Sequence, residues 1–488
     1  MATDHQQEIT LKVFVNKAKN CVAFVESDLD FVDVLLSFLT LPVGTVVRLL
    51  NKQSSLGCFD KLYQSVEQLD EKYLVTAGCR SMLTNPVNSS GVKCQKLRIN
   101  IDKMGQLYTC LPYCCCHRSF SYYSGLKCQC GGDINKAVTH DINQDHVDYQ
   151  EFHGVFIKGD KFGVTDALSI ASIEDAMSSS DEWGDGDWSN LEQRVLKIER
   201  AQVLDILKQS LISGTPLTDV LLHDGVDITP KCSVPSVEKT VASKAFDKEK
   251  QTYSIKLALT RSKVLYAVAS RDLVDVIFSI LTFPLGTLKK HLGSRFRIGC
   301  LNNLYGSVER LASLGYVVSG CEERLLNPKL APYFNPKCQV IGVEEEKQDV
   351  YYACSFRCKL SATRYHCTSH PFTGYQTAEQ ANLIDPKRQH PTRSDSPCGS
   401  YCKELLYMVS DELVVTPLCL TEAFLLRKEF SEPVKMVELG IGEEEALDLL
   451  SAASSSKTAL TVAFFARANA MVNGDKRRIH SSHRPRQP

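Results

Sequence analysis

The sequence predicts an α+β protein of two homologous tandem domains, each with β-hairpins in a mixed or antiparallel sheet packed on amphipathic helices. Three observations predict it. First, DFVDVLLSFLTLPVGT (Asp30 to Thr45) returns as DLVDVIFSILTFPLGT (Asp272 to Thr287), 242 residues later. At the same offset GCFDKLYQSVEQL (Gly57 to Leu69) returns as GCLNNLYGSVERL (Gly299 to Leu311). A period that long marks a duplicated domain, because solenoid repeats run at about 20–50 residues. Second, 488 residues exceed what one hydrophobic core fills, since cores stop growing near ~250–300 residues. Third, hairpin patterns recur while strand–helix–strand alternation is weak, which disfavours a parallel sheet.

The first repeat domain is placed at 1–228 and the second at 251–467, joined by a linker over 229–250. Each domain opens on a hairpin. Leu11, Val13 and Val15 alternate, the polar turn Lys17-Ala18-Lys19-Asn20 follows, and Val22 to Val25 return. In the second domain Ile255, Leu257 and Leu259 precede Thr260 to Lys263 and Leu265 to Ala269. A helix comes next. Asp30 is read as its cap and, with Asp33, as negative charge at its positive end; Asp272 and Asp275 repeat the pattern. Val34, Leu35, Phe38 and Leu39 give a core face, and Pro42 and Gly44 break the helix, as do Pro284 and Gly286.

A second amphipathic helix follows Gly57, and then a loop with Asn85-Pro86, matched by Asn327-Pro328. Beyond the cysteine-rich segment both domains read as strand, turn, strand: Val155 to Ile157 with Phe162 to Thr165, and Leu405 to Val409 with Leu413 to Thr416. Each domain closes on a strand and a helix, Val195 to Ile198 with Ala201 to Leu211, and Val434 to Glu438 with Glu443 to Leu450. The acidic stretch 178–190 reads as an insertion loop, 369–395 as a second insertion rich in Pro, His, Thr and Gln, and 468–488 as a basic disordered tail.

Bulk composition excludes several classes. At 43% hydrophobic, 23% charged and net charge −1, no global field draws the chain to nucleic acid or membrane. The longest apolar run, Phe31 to Val47, is interrupted by Asp33, Pro42 and Gly44 and falls short of the ~20 apolar residues of a spanning helix. The start MATDHQQEITLKVFV lacks the basic and apolar regions of a signal peptide. The expected location is therefore cytoplasmic or nuclear, not secreted. In a reducing compartment the 20 cysteines are expected to be thiols or metal ligands rather than a disulfide framework.

Five cysteines recur in register: Cys58/Cys300, Cys79/Cys321, Cys94/Cys338, Cys110/Cys354 and Cys114/Cys358. Cys58 and Cys79 lie beside apolar helices and read as core. In the first domain Cys110-x₃-Cys114 precedes Cys128-x-Cys130-Gly131-Gly132. Cys110, Cys114, Cys128 and Cys130 could enclose a tetrahedral Zn²⁺, the glycines allowing a tight knuckle. In the second, Cys354, Cys358, Cys367 and His370 form a weaker Cys₃His set. Four protein ligands leave no open position, so such a zinc is structural. The competing reading is a set of small buried thiols.

Other chemistry is thinly supported. Ser455-Ser456-Lys457-Thr458 lacks the glycines of a phosphate loop. His140, His146 and His153 among Asp141, Asp145 and Asp148 could bind metal or move protons, but the second domain has no counterpart and a polar loop is the simpler reading. Lys12, Lys17 and Lys19, echoed by Lys256, Arg261 and Lys263, could track phosphates or merely protect a hairpin edge by charge. Trp183 and Trp188 flank the acidic loop and could anchor a partner.

The run DFVDVLLSFLTLPVGTVVRLL, the following G-C-x₃-L-Y-x-S-V, the Asn-Pro loop, the cysteine segment and the closing Thr-x-Leu-Thr resemble the plant-specific family filed as domain of unknown function 674, over residues 8–467 and in both halves. The resemblance implies a plant source and the two-copy layout, and no activity or catalytic residues. Its cysteine segment often carries a CxxCG-like pair; here Cys128-x-Cys130-Gly131 is one residue shorter. Taken together, the expectation leans away from an enzyme. It is an intracellular interaction or scaffold protein with a protein partner and a structural zinc lobe. The alternatives are a small-ligand binder or enzyme with a site between the domains, and nucleic-acid binding. Cys115, Cys116, His117 and the histidine loop are the first suspects for a ligand site. Neither oligomeric state nor partner identity is written in the sequence.

Overall fold

A computed structural model describes residues 8–103, 105–110, 119–128, 130–141, 153–178, 190–222, 252–348, 351–353, 359–361, 379–388, 399–421, 424, 428 and 433–481. The N-terminal half runs β1 (Ile9–Asn16), β2 (Cys21–Ser27), α1 (Leu29–Ser37), α2 (Val43–Leu49), α3 (Phe59–Gln68), α4 (Ala77–Thr84), α5 (Gly91–Cys94), β3 (Leu107–Cys110), β4 (Ser119–Ser121), β5 (Leu126–Lys127), β6 (Asp133–Asp141), β7 (Phe162–Thr165), β8 (Ile170–Ser172), α6 (Ile173–Ser178), β9 (Leu191–Ile198), α7 (Arg200–Ile212) and α8 (Pro216–Leu221). The C-terminal half runs β10 (Tyr253–Leu259), β11 (Val264–Ser270), α9 (Arg271–Ser279), α10 (Leu285–Leu292), α11 (Leu301–Ser313), α12 (Glu322–Leu326), β12 (Tyr351–Ala353), β13 (Lys359–Ser361), β14 (Glu379–Leu383), β15 (Leu406–Ser410), β16 (Val415–Pro417), β17 (Lys435–Ile441), α13 (Glu443–Ser455) and α14 (Ala459–Ser481). The class is α+β, as expected.

Each half owns one antiparallel sheet, in the orders β8-β7-β2-β1-β9 and β16-β15-β11-β10-β17. These are the same arrangement read in corresponding strands. Even the register shift recurs, between Phe14 and Val15 and between Ala258 and Leu259. The alternation of β1 is read directly: Ile9, Leu11, Val13 and Val15 are buried, one face of a pleated strand. One expected hairpin is corrected. β7 pairs with β8 and β2, whereas among the described residues Ile157 makes a single bridge, to Val317. The amides of Val155, Phe156 and Ile157 turn instead toward the carboxylate of Asp33.

The third sheet is shared. Its order is β13-β12-β14-β4-β3-β6-β5, and β13 also pairs with β6, so six strands close into a ring with β5 appended. Each half gives three strands to the ring, and the two seams, β14 with β4 and β13 with β6, are both parallel. A closed ring removes sheet edges, and one this small is filled by its own side chains. Leu107, Phe120, Val138, Tyr351, Leu360 and Leu383 fill it, with Phe120 edge-on to Tyr351 at 5.1 Å. Strand β14 falls inside the segment read as an insertion; its Pro- and His-rich flanks conceal the alternating buried Ala381 and Leu383. Helix α14 likewise extends through Ser481, into residues read as tail.

The halves also exchange helices. Cys58 N–H donates to Ala453 O of α13 at 2.8 Å, and Cys300 N–H donates to Ser210 O of α7 at 2.8 Å. Val75 N–H donates to Tyr401 O and Lys403 N–H to Tyr73 O; Val318 N–H donates to Phe156 O and Lys158 N–H to Tyr316 O. At the centre the two Pro-Gly breaks pair with each other. Val43 N–H donates to Phe283 O and Leu285 N–H to Leu41 O, both at 3.0 Å. Ser65 on α3 accepts from Val415 N–H at 2.8 Å and donates to Val415 O at 3.1 Å, locking α3 onto the other half's β16. Ser65→Ala strands those groups in a buried site and is expected to lower unfolding free energy by about 1–3 kcal/mol, measured by urea denaturation. Ser307→Ala is expected to act alike, because Ser307 accepts from Ile170 N–H of β8 at 2.9 Å.

The acidic pairs at the helix starts are corrected too. Helix α1 begins after Asp28, and Asp30 lies in its first turn, ion-paired with Arg98 at 3.1 Å. Asp33 is buried and accepts from Val155, Phe156 and Ile157. Asp275 accepts from Tyr401 and Cys402 in the same way. Each carboxylate therefore holds the segment that pairs with the opposite half.

Candidate metal centre

The cysteine hairpin is built by local backbone chemistry. Strands β5 and β6 pair at Leu126–Ile134 and Lys127–Asp133, with Lys127 and Asp133 also ion-paired at 2.7 Å. Their tip is closed by Gly131 N–H to Cys128 O at 2.9 Å and by Cys128 N–H to Gly132 O at 2.8 Å. Gly131 has φ +82°, where an L side chain is strained. Gly132 leaves room in a different way: a Cβ there would lie 3.3 Å from the sulfurs of both Cys110 and Cys130, a tight contact. The Gly132 N–H also points to Cys130 Sγ at 3.4 Å.

Cys110 joins them from β3. A register shift between Thr109 and Cys110 sets it opposite Ile134, beside the hairpin tip. The sulfurs of Cys110, Cys128 and Cys130 lie within 4.8 Å of one another, with Cys110 and Cys130 at 3.7 Å. Tetrahedral Zn²⁺ with bonds near 2.3 Å holds its sulfurs about 3.8 Å apart, so the spacing fits a metal-thiolate set. Cys110 and Cys128 are buried and Cys130 is exposed. The first two are free thiols. Cys130 is joined in a disulfide, a departure from the expectation of thiols throughout; reduction is needed before it can act as a third ligand. The hairpin is seated on α4, where a Cβ at Gly78 would meet Leu126 Cδ2 at 2.6 Å.

Of the expected ligands, Cys110, Cys128 and Cys130 are thus brought together. Cys114 lies outside the described residues, as do Cys354, Cys358, Cys367 and His370, and likewise Cys115, Cys116, His117, His146, Trp183 and Trp188. His153 is exposed and bridges to Lys158. Cys58 and Cys79 are buried in the core, as expected. Burial pushes the thiol of Cys79 up to about 11 and those of Cys58, Cys94 and Cys300 up to about 12, which suits packing and not ligation. Two of the hairpin lysines are committed to acids: Lys12 to Glu26 at 2.9 Å and Lys17 to Glu192 at 3.4 Å. Among the described residues no helix is long and apolar enough to cross a membrane. One contact had no local signal in the sequence: Lys93 Nζ meets Cys321 Sγ across 228 residues.

A model of the family described as Protein of unknown function (DUF674) matches residues 5–440. No curated protein and no solved structure matches the chain.

Proposed function

The chain belongs to the family of proteins of unknown function DUF674, and from that premise we propose that it is a non-catalytic interaction scaffold whose shared barrel is stiffened by a structural zinc ion. The convergence of three sulfurs at metal-thiolate spacing carries the zinc reading. Cys114, four residues beyond Cys110, is the fourth ligand by sequence spacing. Soft thiolate sets favour zinc over hard cations, and a closed set of four leaves no site for substrate or water.

The scaffold reading is supported by what the corresponding polar residues of the two halves do. Asp166 holds Thr218 and Asp411 holds Thr461. Thr45 donates to Pro86 O and Thr287 to Pro328 O. With Asp33, Asp275, Ser65 and Ser307, these pairs hold backbone in place. The matching strand orders support tandem duplication as the origin of the layout.

Metal analysis of full-length protein purified under reducing conditions tests the zinc. The expected result is bound zinc that Cys128→Ser and Cys110→Ser lose and the core variant Cys58→Ser retains. A zinc-free wild type, or zinc retained in both hairpin variants, removes the metal from the proposal. Affinity capture with the full chain and a thermal-shift screen against metabolites test the scaffold; a ligand at 100 times its Kd raises stability by about 2.7 kcal/mol. A metabolite that binds and is turned over would overturn it.

A further inference from the structure

We propose that Lys93 and Cys321 are an oxidant-dependent modification site, at which a sulfur–nitrogen bond links the two halves of the chain. Lys93 Nζ lies 2.9 Å from Cys321 Sγ. Among the described residues Cys321 is the only hydrogen-bonding or ion-pairing partner of the Lys93 amine, so no carboxylate competes for it. The Cys321 S–H donates to Val155 O at 3.7 Å, so its sulfur accepts from Lys93 while its proton is engaged elsewhere.

The setting is a contact between halves. Lys93 is on α5, and Cys321 immediately precedes α12. Ser89, just before α5, donates to Lys329 O of the other half at 2.6 Å, so the approach of these segments does not depend on the lysine alone. The corresponding cysteine of the N-terminal half, Cys79, meets the Thr76 hydroxyl at 3.3 Å instead. The amine–thiol pair therefore belongs to one of two matching positions.

The chemistry is two balanced steps with a peroxide as oxidant. Hydrogen peroxide transfers one oxygen to the Cys321 thiol, giving sulfenic acid and one water; sulfur is oxidised by two electrons and the peroxide O–O bond is cleaved. The Lys93 nitrogen, once its ammonium proton has passed to solvent, then attacks that sulfur. An S–N bond forms, the S–OH bond breaks, and hydroxide leaves with the amine proton as a second water. Sulfenic acids condense in this way with nearby thiols or nitrogen. Burial directs the outcome. Cys321 is fully buried while Lys93 is only partly so. The buried sulfur is closed to bulky thiols, and the part-exposed Lys93 amine is the nucleophile in contact with it.

The test uses reduced full-length protein treated with hydrogen peroxide at low molar excess, then digested and analysed by mass spectrometry. The expected product joins the peptide containing Lys93 to that containing Cys321 and is about 2 Da lighter than their sum, the loss of two hydrogens. Dithiothreitol should separate it. Cys321→Ser and the charge-preserving Lys93→Arg should both abolish it, and Cys79→Ser should not. A protease site inserted within 229–250 gives a second readout: after cleavage, the halves should co-migrate on a denaturing gel only when oxidised. Free Lys93 beside Cys321 present as thiol or sulfinic acid overturns the proposal, as does joining of the halves that persists in Lys93→Arg.

Discussion

Alanine at Gly57 or Gly299 is expected to lower unfolding free energy by about 3–5 kcal/mol, the combined scale of overpacking, backbone strain and a broken buried hydrogen bond. Gly57 has φ +43° and Gly299 φ +40°, a region that L side chains rarely adopt. A Cβ at Gly57 would lie 2.2 Å from Ala453 O, and one at Gly299 would lie 2.1 Å from Ser210 O. Those carbonyls accept the N–H of Cys58 and Cys300, so a shift that relieves the clash breaks the bond between the halves. Each glycine touches the other half's helix, and either substitution should therefore destabilise both sheets together. Urea unfolding followed by circular dichroism should show one transition at a lower midpoint. Gly306→Ala is the control: it sits in α11 with no heavy atom within 4 Å of a Cβ, and should stabilise by about 1 kcal/mol. A Gly57→Ala protein as stable as wild type would mean that the halves do not meet here.

The same glycines show what the sequence could and could not reveal. The repeat identifies Gly57 with Gly299 and Pro42 with Pro284, and its opening hairpins and the helices that follow them are found where periodicity places them. A repeat does not say whether matched segments pack within their own half or against the other, because both arrangements produce the same pattern of buried positions. Asp33 illustrates the loss: in sequence it is an acid near a helix start, while its partners lie 122 to 124 residues away. The cysteine hairpin was legible because its chemistry is local, two sulfurs and two glycines within five residues. Cys110 could be added only through its similar spacing in both halves. The ring stayed hidden because several of its strands are three residues long, too short to show alternation, and two of its seams join distant segments.

Acidification from pH 8 toward pH 5 is expected to stabilise the fold, against the usual trend for carboxylates. Burial raises Asp33 and Asp275 to about 7 each, outweighing the backbone N–H groups that favour the charged form. An unfolded aspartate titrates near 3.9. Between about pH 4 and 7 the native state therefore holds more protons than the unfolded chain, and unfolding free energy falls as pH rises through that window. The stabilisation is complete below the unfolded value and lost above the folded one. Asp102, Asp166 and Asp411 are raised by burial as well and act in the same direction. The carboxylates shifted down, such as Glu26 and Glu192, sit in more exposed ion pairs, where solvent screening keeps their opposing effect small. Two buried groups shifted by roughly three pH units amount to a few kcal/mol each at most. Urea midpoints at pH 5, 6, 7 and 8 measure the slope. Asp33→Asn, which keeps the shape and removes the titration, should flatten part of it, and Asp33→Asn with Asp275→Asn should flatten more. Asp33→Ala should instead destabilise at every pH, because it leaves the amides of Val155, Phe156 and Ile157 without their acceptor at the contact between halves. A wild-type slope of the opposite sign would mean that those N–H groups prevail over burial and both carboxylates are charged in the native state.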